Sequence, residues 1–127
     1  MPPTRNFIVW RKTNVSESFS MAMAEYAWVS FDGNAKVIEM SPVGQKNRFH
    51  PTAKPVALYE WILSRYASKG DKILDPMCGS ANSLIACHNL GFDYVGFEID
   101  KEYYEQGIKA IEREKAQLNL FDMEGMK

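Results

Sequence analysis

The order of apolar and polar positions divides the chain into a strand-rich first part and a strand–helix alternation. Residues 7–11, Phe-Ile-Val-Trp-Arg, are mostly aromatic and β-branched and predict a strand. Residues 24–31 and 35–40 are two further strand-like runs, with Asp32-Gly33-Asn34 between them. Those three residues tolerate positive φ, so the pair predicts an antiparallel hairpin. Residues 41–54 show no period and carry Pro, Gly and basic side chains. A loop of that length in a compact domain is usually functional or disordered. Pro55 then opens a helix whose apolar stripe is Val56, Leu58, Tyr59, Ile62, Leu63 and Tyr66, ended by Lys69-Gly70-Asp71. Residues 72–74 predict a short buried strand, residues 80–90 a helix stopped by Gly91, and residues 94–99 another strand. Asp100 caps a polar, charged helix that runs to about residue 117. The order β-β-β-α-β-α-β-α is that of an α/β chain.

The second half places polar chemistry at strand ends. One strand ends in Asp75-Pro76, the turn Cys78-Gly79-Ser80 leads into a helix, and the next strand ends at Glu98 and Asp100. That is the arrangement of a nucleoside-cofactor site at the carboxyl edge of a parallel sheet. A turn opening a helix presents unpaired N–H groups to a polar ligand. Glu98 follows Gly79 by 19 residues, near the interval of ~20 after which an acid accepts hydrogen bonds from both ribose hydroxyls. The plain structural roles stand beside these: Asp75 can cap its turn, Asp100 the next helix, and His50 can bond within its loop. Lys54 can hold a ligand carboxylate or stay solvated. Trp10, Trp28 and Trp61 are read as core rather than as stacking platforms.

The same segments resemble a known family, the S-adenosylmethionine-dependent amino-group DNA methyltransferases, in particular small adenine-N6 enzymes of phages and prophages. Residues 50–55, His-Pro-Thr-Ala-Lys-Pro, match the family's His-Pro-Thr-Gln-Lys-Pro element with Ala53 for Gln. Residues 75–81 match its Asp-Pro-Phe-x-Gly-Ser-Gly turn, with Met77 for Phe and Ala81 for the last Gly. Residues 96–100 match Gly-x-Glu-Ile-Asp, followed by Tyr103 and Tyr104 where the family often carries an aromatic. The resemblance is strong over residues 49–113 and weaker over 5–48. It implies a Rossmann-like methyltransferase fold, incomplete, with a hairpin of antiparallel strands. It also implies S-adenosylmethionine bound by His50, Thr52, Lys54, Asp75, Pro76, Cys78, Gly79, Ser80, Glu98 and Asp100. The implied domain covers residues 1–116 (1–48 strands and hairpin, 49–116 cofactor part), with 117–127 as a tail.

The family's Asp-Pro-Pro-Tyr tetrapeptide, which handles the target base, does not occur in the 127 residues. The exocyclic amine of adenine is a poor nucleophile and needs acceptors for its protons and a ring to hold the flipped base. The expectation is therefore a truncated enzyme that does not act alone; a cofactor- or clamp-binding remnant without chemistry is the alternative. With that segment absent, adenine N6 and cytosine N4 both stay open as targets. The missing strand would leave an open edge beside the strand ending at Asp75, closed either by residues 7–11 or by a homodimer.

Composition adds little to this picture. The formal net charge is −1, but residues 1–54 carry seven Lys/Arg against four Asp/Glu. Arg5, Arg11, Lys12, Lys36, Lys46, Arg48 and Lys54 are thus the side chains a duplex DNA partner would meet. Cys78 and Cys87 have neither metal nor disulfide spacing, and no metal site is expected. The reducing cytoplasm is the natural compartment, with no membrane partner. Finally, Gln117-Leu118-Asn119-Leu120-Phe121 resembles the short peptide with which bacterial replication proteins dock on the sliding clamp. Gln117, Leu118, Leu120 and Phe121 are its candidate contacts, placed beyond the last helix.

Overall fold

The computed structural model describes every residue except 17, 19, 21, 45, 46, 126 and 127, and the backbone alone over 118–124. The chain forms two units, Met1–Gly44 and Gln45–Lys127.

In the first unit, β1 (Phe7–Lys12) is the central strand of three. Strand β2 (Ala24–Trp28) pairs antiparallel on one side, and β3 (Lys36–Met40) pairs parallel on the other. The antiparallel pair is therefore made by β1 and β2, whereas the turn residues at 32–34 had pointed to β2 and β3. Those residues instead belong to a crossing anchored beside the start of β1. Arg5 binds both carboxylate oxygens of Asp32 at 2.9 and 3.1 Å, and the Asn6 amide donates to the Phe31 carbonyl at 3.0 Å. Ile8, Trp10 and Ile38 are the buried apolar residues of this sheet, and Trp10 Nε1 donates to the Met40 carbonyl. Lys12 is buried too: it pairs with Glu25 at 2.7 Å and lies 5.1 Å from the Trp10 ring centroid. Lys12 thus leaves the set of side chains that a DNA strand can reach.

In the second unit, β4 (Lys72–Asp75) and β5 (Asp93–Gly96) pair in parallel, from Lys72 opposite Asp93 to Asp75 opposite Gly96. The crossover between them is α2 (Asn82–Leu90), and α1 (Val56–Tyr66) packs against α2. Alternation along each strand sends Ile73 and Tyr94 toward a core of Leu63, Ala86 and Cys87. A Cβ at Gly96 would collide with the Leu84 side chain, so the missing side chain lets α2 approach β5 closely. The opposite face is open: Leu74 is 64% exposed and its cross-strand partner Val95 is 55% exposed. Among the described residues β4 pairs with β5 alone, and β1 pairs with β2 and β3.

Helix α3 (Lys101–Gly125) is longer than its sequence pattern indicated. Residues 117–124 contain neither Pro nor Gly, and nothing in their backbone chemistry stops the helix before Gly125. The pentapeptide 117–121 therefore lies within α3 and not beyond it.

Candidate functional site

The site is built where β4 and β5 end. Asp75 is the last residue of β4. Its Oδ1 accepts the Met77 amide at 3.1 Å and its Oδ2 accepts the Ser83 hydroxyl of α2. Glu98, just past β5, accepts the Gly79 amide on Oε2 and the Asp100 amide on Oε1, each at 2.9 Å. Two backbone bonds hold this carboxylate in one orientation, while each oxygen keeps a second lone pair for a ligand. Asp100 caps α3 by accepting the Tyr103 amide at 3.0 Å, as its sequence position indicated.

The turn differs from expectation in one respect. The amides of Met77, Cys78, Gly79 and Ala81 are already bonded to Asp75, Phe97, Glu98 and Cys78 respectively. The turn thus offers a fixed shape and two carboxylates more than a set of free N–H donors. Gly79 has φ of 51°, and a Cβ there would lie 3.3 Å from the His50 ring. Ala81 also has positive φ, 62°, and is buried. A Cβ on Gly107 of α3 would come within 3.2 Å of the Ala81 methyl, which therefore needs the bare backbone of that glycine.

Residues 47–54 cover this turn. The His50 ring lies tilted at 58° to Tyr103 with ring centroids 4.4 Å apart, and His50 Nδ1 bonds the Thr52 hydroxyl at 3.1 Å and accepts its amide at 3.3 Å. Lys54 Nζ donates to the Thr52 carbonyl at 3.4 Å. Electrostatically the corner is negative. Burial pushes the Cys78 thiol above its ordinary range, and the nearby Asp75 and Glu98 carboxylates push it further. A cationic or hydroxyl-rich ligand fits such a field, and Ile99, wholly exposed between Glu98 and Asp100, offers an apolar surface for a ring. Pro76 is exposed and Ser80 buried on the same turn. A groove of about 540 Å³ runs along α3 between Phe49 and Arg113, and neither carboxylate lines it.

Proximity therefore joins His50, Gly79, Cys78, Glu98 and Asp75, whereas residue 117 begins about 24 Å along α3 at 1.5 Å per residue. Ser83 and Asn82 were not picked out from sequence. Each is a common small polar residue, and only the fold turns them toward Asp75 and Lys54.

A parallel strand–helix–strand unit with an acid at each strand end defines the nucleoside-cofactor class of α/β proteins. Comparison with known proteins narrows the class: the N6_N4_Mtase model, described as DNA methylase, matches residues 28–109, and the chain belongs to that family. Type II methyltransferase M.HpaI of Haemophilus parainfluenzae is 42% identical over 78 residues, 61% of this chain and 24% of the relative. DNA adenine methyltransferase YhdJ of Escherichia coli K12 is 35% identical over 63 residues, half of this chain and 21% of the relative. The chain thus spans about a quarter of the length of these relatives. The crystal structure of an M1.HpyAVI–SAM complex superposes with a TM-score of 0.63 at 28% identity, over 82% of this chain and 60% of that one. The fold is accordingly the α/β Rossmann-like methyltransferase fold with an antiparallel strand pair.

Proposed function

We propose that the chain binds S-adenosylmethionine at the β4–β5 corner and belongs to a machine that methylates adenine N6 in DNA. The observation that carries this reading is the pair of oriented carboxylates, Asp75 and Glu98, flanking a turn roofed by His50. When bound, the cofactor supplies a methyl group on a sulfonium, made electrophilic by its positive charge. Glu98 accepts the ribose hydroxyls on its remaining lone pairs. His50, Thr52 and Lys54 face the methionine part, Lys54 as the counter-charge of its carboxylate. Asp75, Pro76, Cys78, Gly79 and Ser80 form the wall, and Asp100 bounds the adenosine end. The M1.HpyAVI–SAM complex supports the cofactor, and the name of YhdJ supports adenine as the base. A calorimetric titration with S-adenosylmethionine tests the reading; no heat of binding at millimolar ligand would sink it.

Methyl transfer by these 127 residues alone is not part of the proposal, because the tetrapeptide that activates the amine is not among them. Duplex DNA is the partner of the whole machine. A homodimer formed through the free β4 edge is a second element of the proposal, supported by the exposed Leu74 and Val95 beside that edge. Sliding-clamp docking through Gln117, Leu118, Leu120 and Phe121 is a third, and it requires the end of α3 to unwind. Phe121→Ala should then abolish clamp binding, a loss of at least ~2 kcal/mol for a hot spot, with thermal stability nearly unchanged. Lowered stability without any clamp binding by the intact chain would leave the tail as packing only.

A further inference from the structure

Residues 47–54 carry three of the proposed cofactor ligands yet contain no helix or strand to hold them. One of their fastenings is the first residue of α2. Asn82 is 1% exposed, its Nδ2 donates to the Lys54 carbonyl at 2.8 Å, and its Oδ1 accepts from Asn47 Nδ2 at 3.5 Å. A carbonyl only accepts, so the Lys54 contact fixes which end of the Asn82 amide faces which partner. One buried amide thereby ties both flanks of the segment in which His50 lies. The helix does not need this side chain for its own start, since Ala81 occupies the cap position and no side chain caps it. A further tie, Arg113 to Asn47 Oδ1 at 3.3 Å, is exposed; it is longer than the Lys54 contact and shorter than the Asn47–Asn82 contact. Exposed polar contacts are worth less than buried ones, whose loss leaves a desolvated group unpaired.

Resting on the cofactor reading above, we propose that Asn82 is a positioning residue. It touches no ligand, but by clamping residues 47 and 54 it keeps His50 over Gly79 and so sets cofactor affinity. Two measurements on the full chain test this: amide hydrogen exchange of residues 50–54, and calorimetry with S-adenosylmethionine. Asn82→Ala should speed exchange at the Thr52 and Ala53 amides and raise the dissociation constant, each by about tenfold, as expected for a lost buried hydrogen bond. Asn82→Asp should do the same, because a carboxylate facing the Lys54 carbonyl has no proton to donate. In a His50→Ala background, Asn82→Ala should add less than about twofold, since the two act through one element. A full tenfold addition there, or unchanged loop exchange in a folded variant, overturns the proposal. If Asn82→Ala does not fold, Asn47→Gly removes the other half of the clamp together with the Arg113 bond, and glycine tolerates the positive φ at 47. It should still speed loop exchange, and no change would overturn the clamp. A wild-type chain that binds no cofactor removes the cofactor reading, and the exchange measurement alone then decides whether Asn82 holds the loop.

Discussion

At Glu98 the structure makes one side chain serve two tasks, holding the Gly79 and Asp100 amides and presenting lone pairs outward. Glu98→Ala should therefore weaken cofactor binding by ~1.5–3 kcal/mol, the loss of bonds to a charged acceptor. An unchanged binding constant in calorimetry would falsify the ribose assignment. Cys78 reports on the same field. Burial first, then the charges of Asp75 and Glu98, favour its protonated form, so the thiol should alkylate more slowly than free cysteine at neutral pH. Asp75→Asn or Glu98→Gln removes a negative neighbour, draws the thiol back toward its ordinary range and should speed the reaction. If the rate stays the same in both variants, the carboxylate charges do not act on the Cys78 thiol. Ala81 balances two opposed terms. Glycine there would relieve a left-handed conformation costing about 1–2 kcal/mol, but it gives up a buried methyl worth about 0.8 kcal/mol and frees the unfolded chain. Ala81→Gly should thus shift stability by less than about 1 kcal/mol, while a β-branched Val at positive φ should cost clearly more. Denaturant midpoints of the two variants make the comparison.

At the scale of elements, packing of α1 and α2 on the parallel pair depends on Leu63 and on the bare Gly96. Leu63→Ala should cost ~2–5 kcal/mol as a cavity, and Gly96→Ala ~1–3 kcal/mol as overpacking, both read from denaturant unfolding. These elements were legible in the sequence because each announces itself locally: the stripe through Leu58 and Leu63, the Asp-Pro strand end, and Gly91 after Leu90. Strand pairing in the first unit was not, because Asp32-Gly33-Asn34 is compatible with a tight hairpin and with the anchored crossing that Arg5 and Asn6 impose. The end of α3 was missed since residues 117–124, half of them apolar but without a helical period, contain neither Pro nor Gly to stop the helix. Within the site, Glu98 and Asp75 could be named from strand ends. That their oxygens consume the turn's own amides depends on distances that only the folded backbone sets.

For the whole molecule, the first consequence concerns activity. Transfer of tritium from labelled S-adenosylmethionine into duplex DNA should be absent for this polypeptide, because the Asp-Pro-Pro-Tyr segment that would activate the amine and hold the base is not among the 127 residues. Incorporation that disappears in Asp75→Ala would reveal a base site elsewhere in the chain. The second concerns assembly: a homodimer predicts a sedimentation coefficient that rises with concentration, and a strict monomer at high concentration would count against it. Among the described residues no helix is long and apolar enough to cross a membrane. Leu74, Met77, Val95, Phe97 and Ile99 are nonetheless all more than half exposed in the folded chain. Exposed apolar surface of that kind binds environment-sensitive fluorophores. A dye-based melting scan of this protein would accordingly begin with a raised signal before heating. Its folding is better followed by far-ultraviolet dichroism, which reads α1, α2 and α3 directly and ignores the greasy face of the sheet.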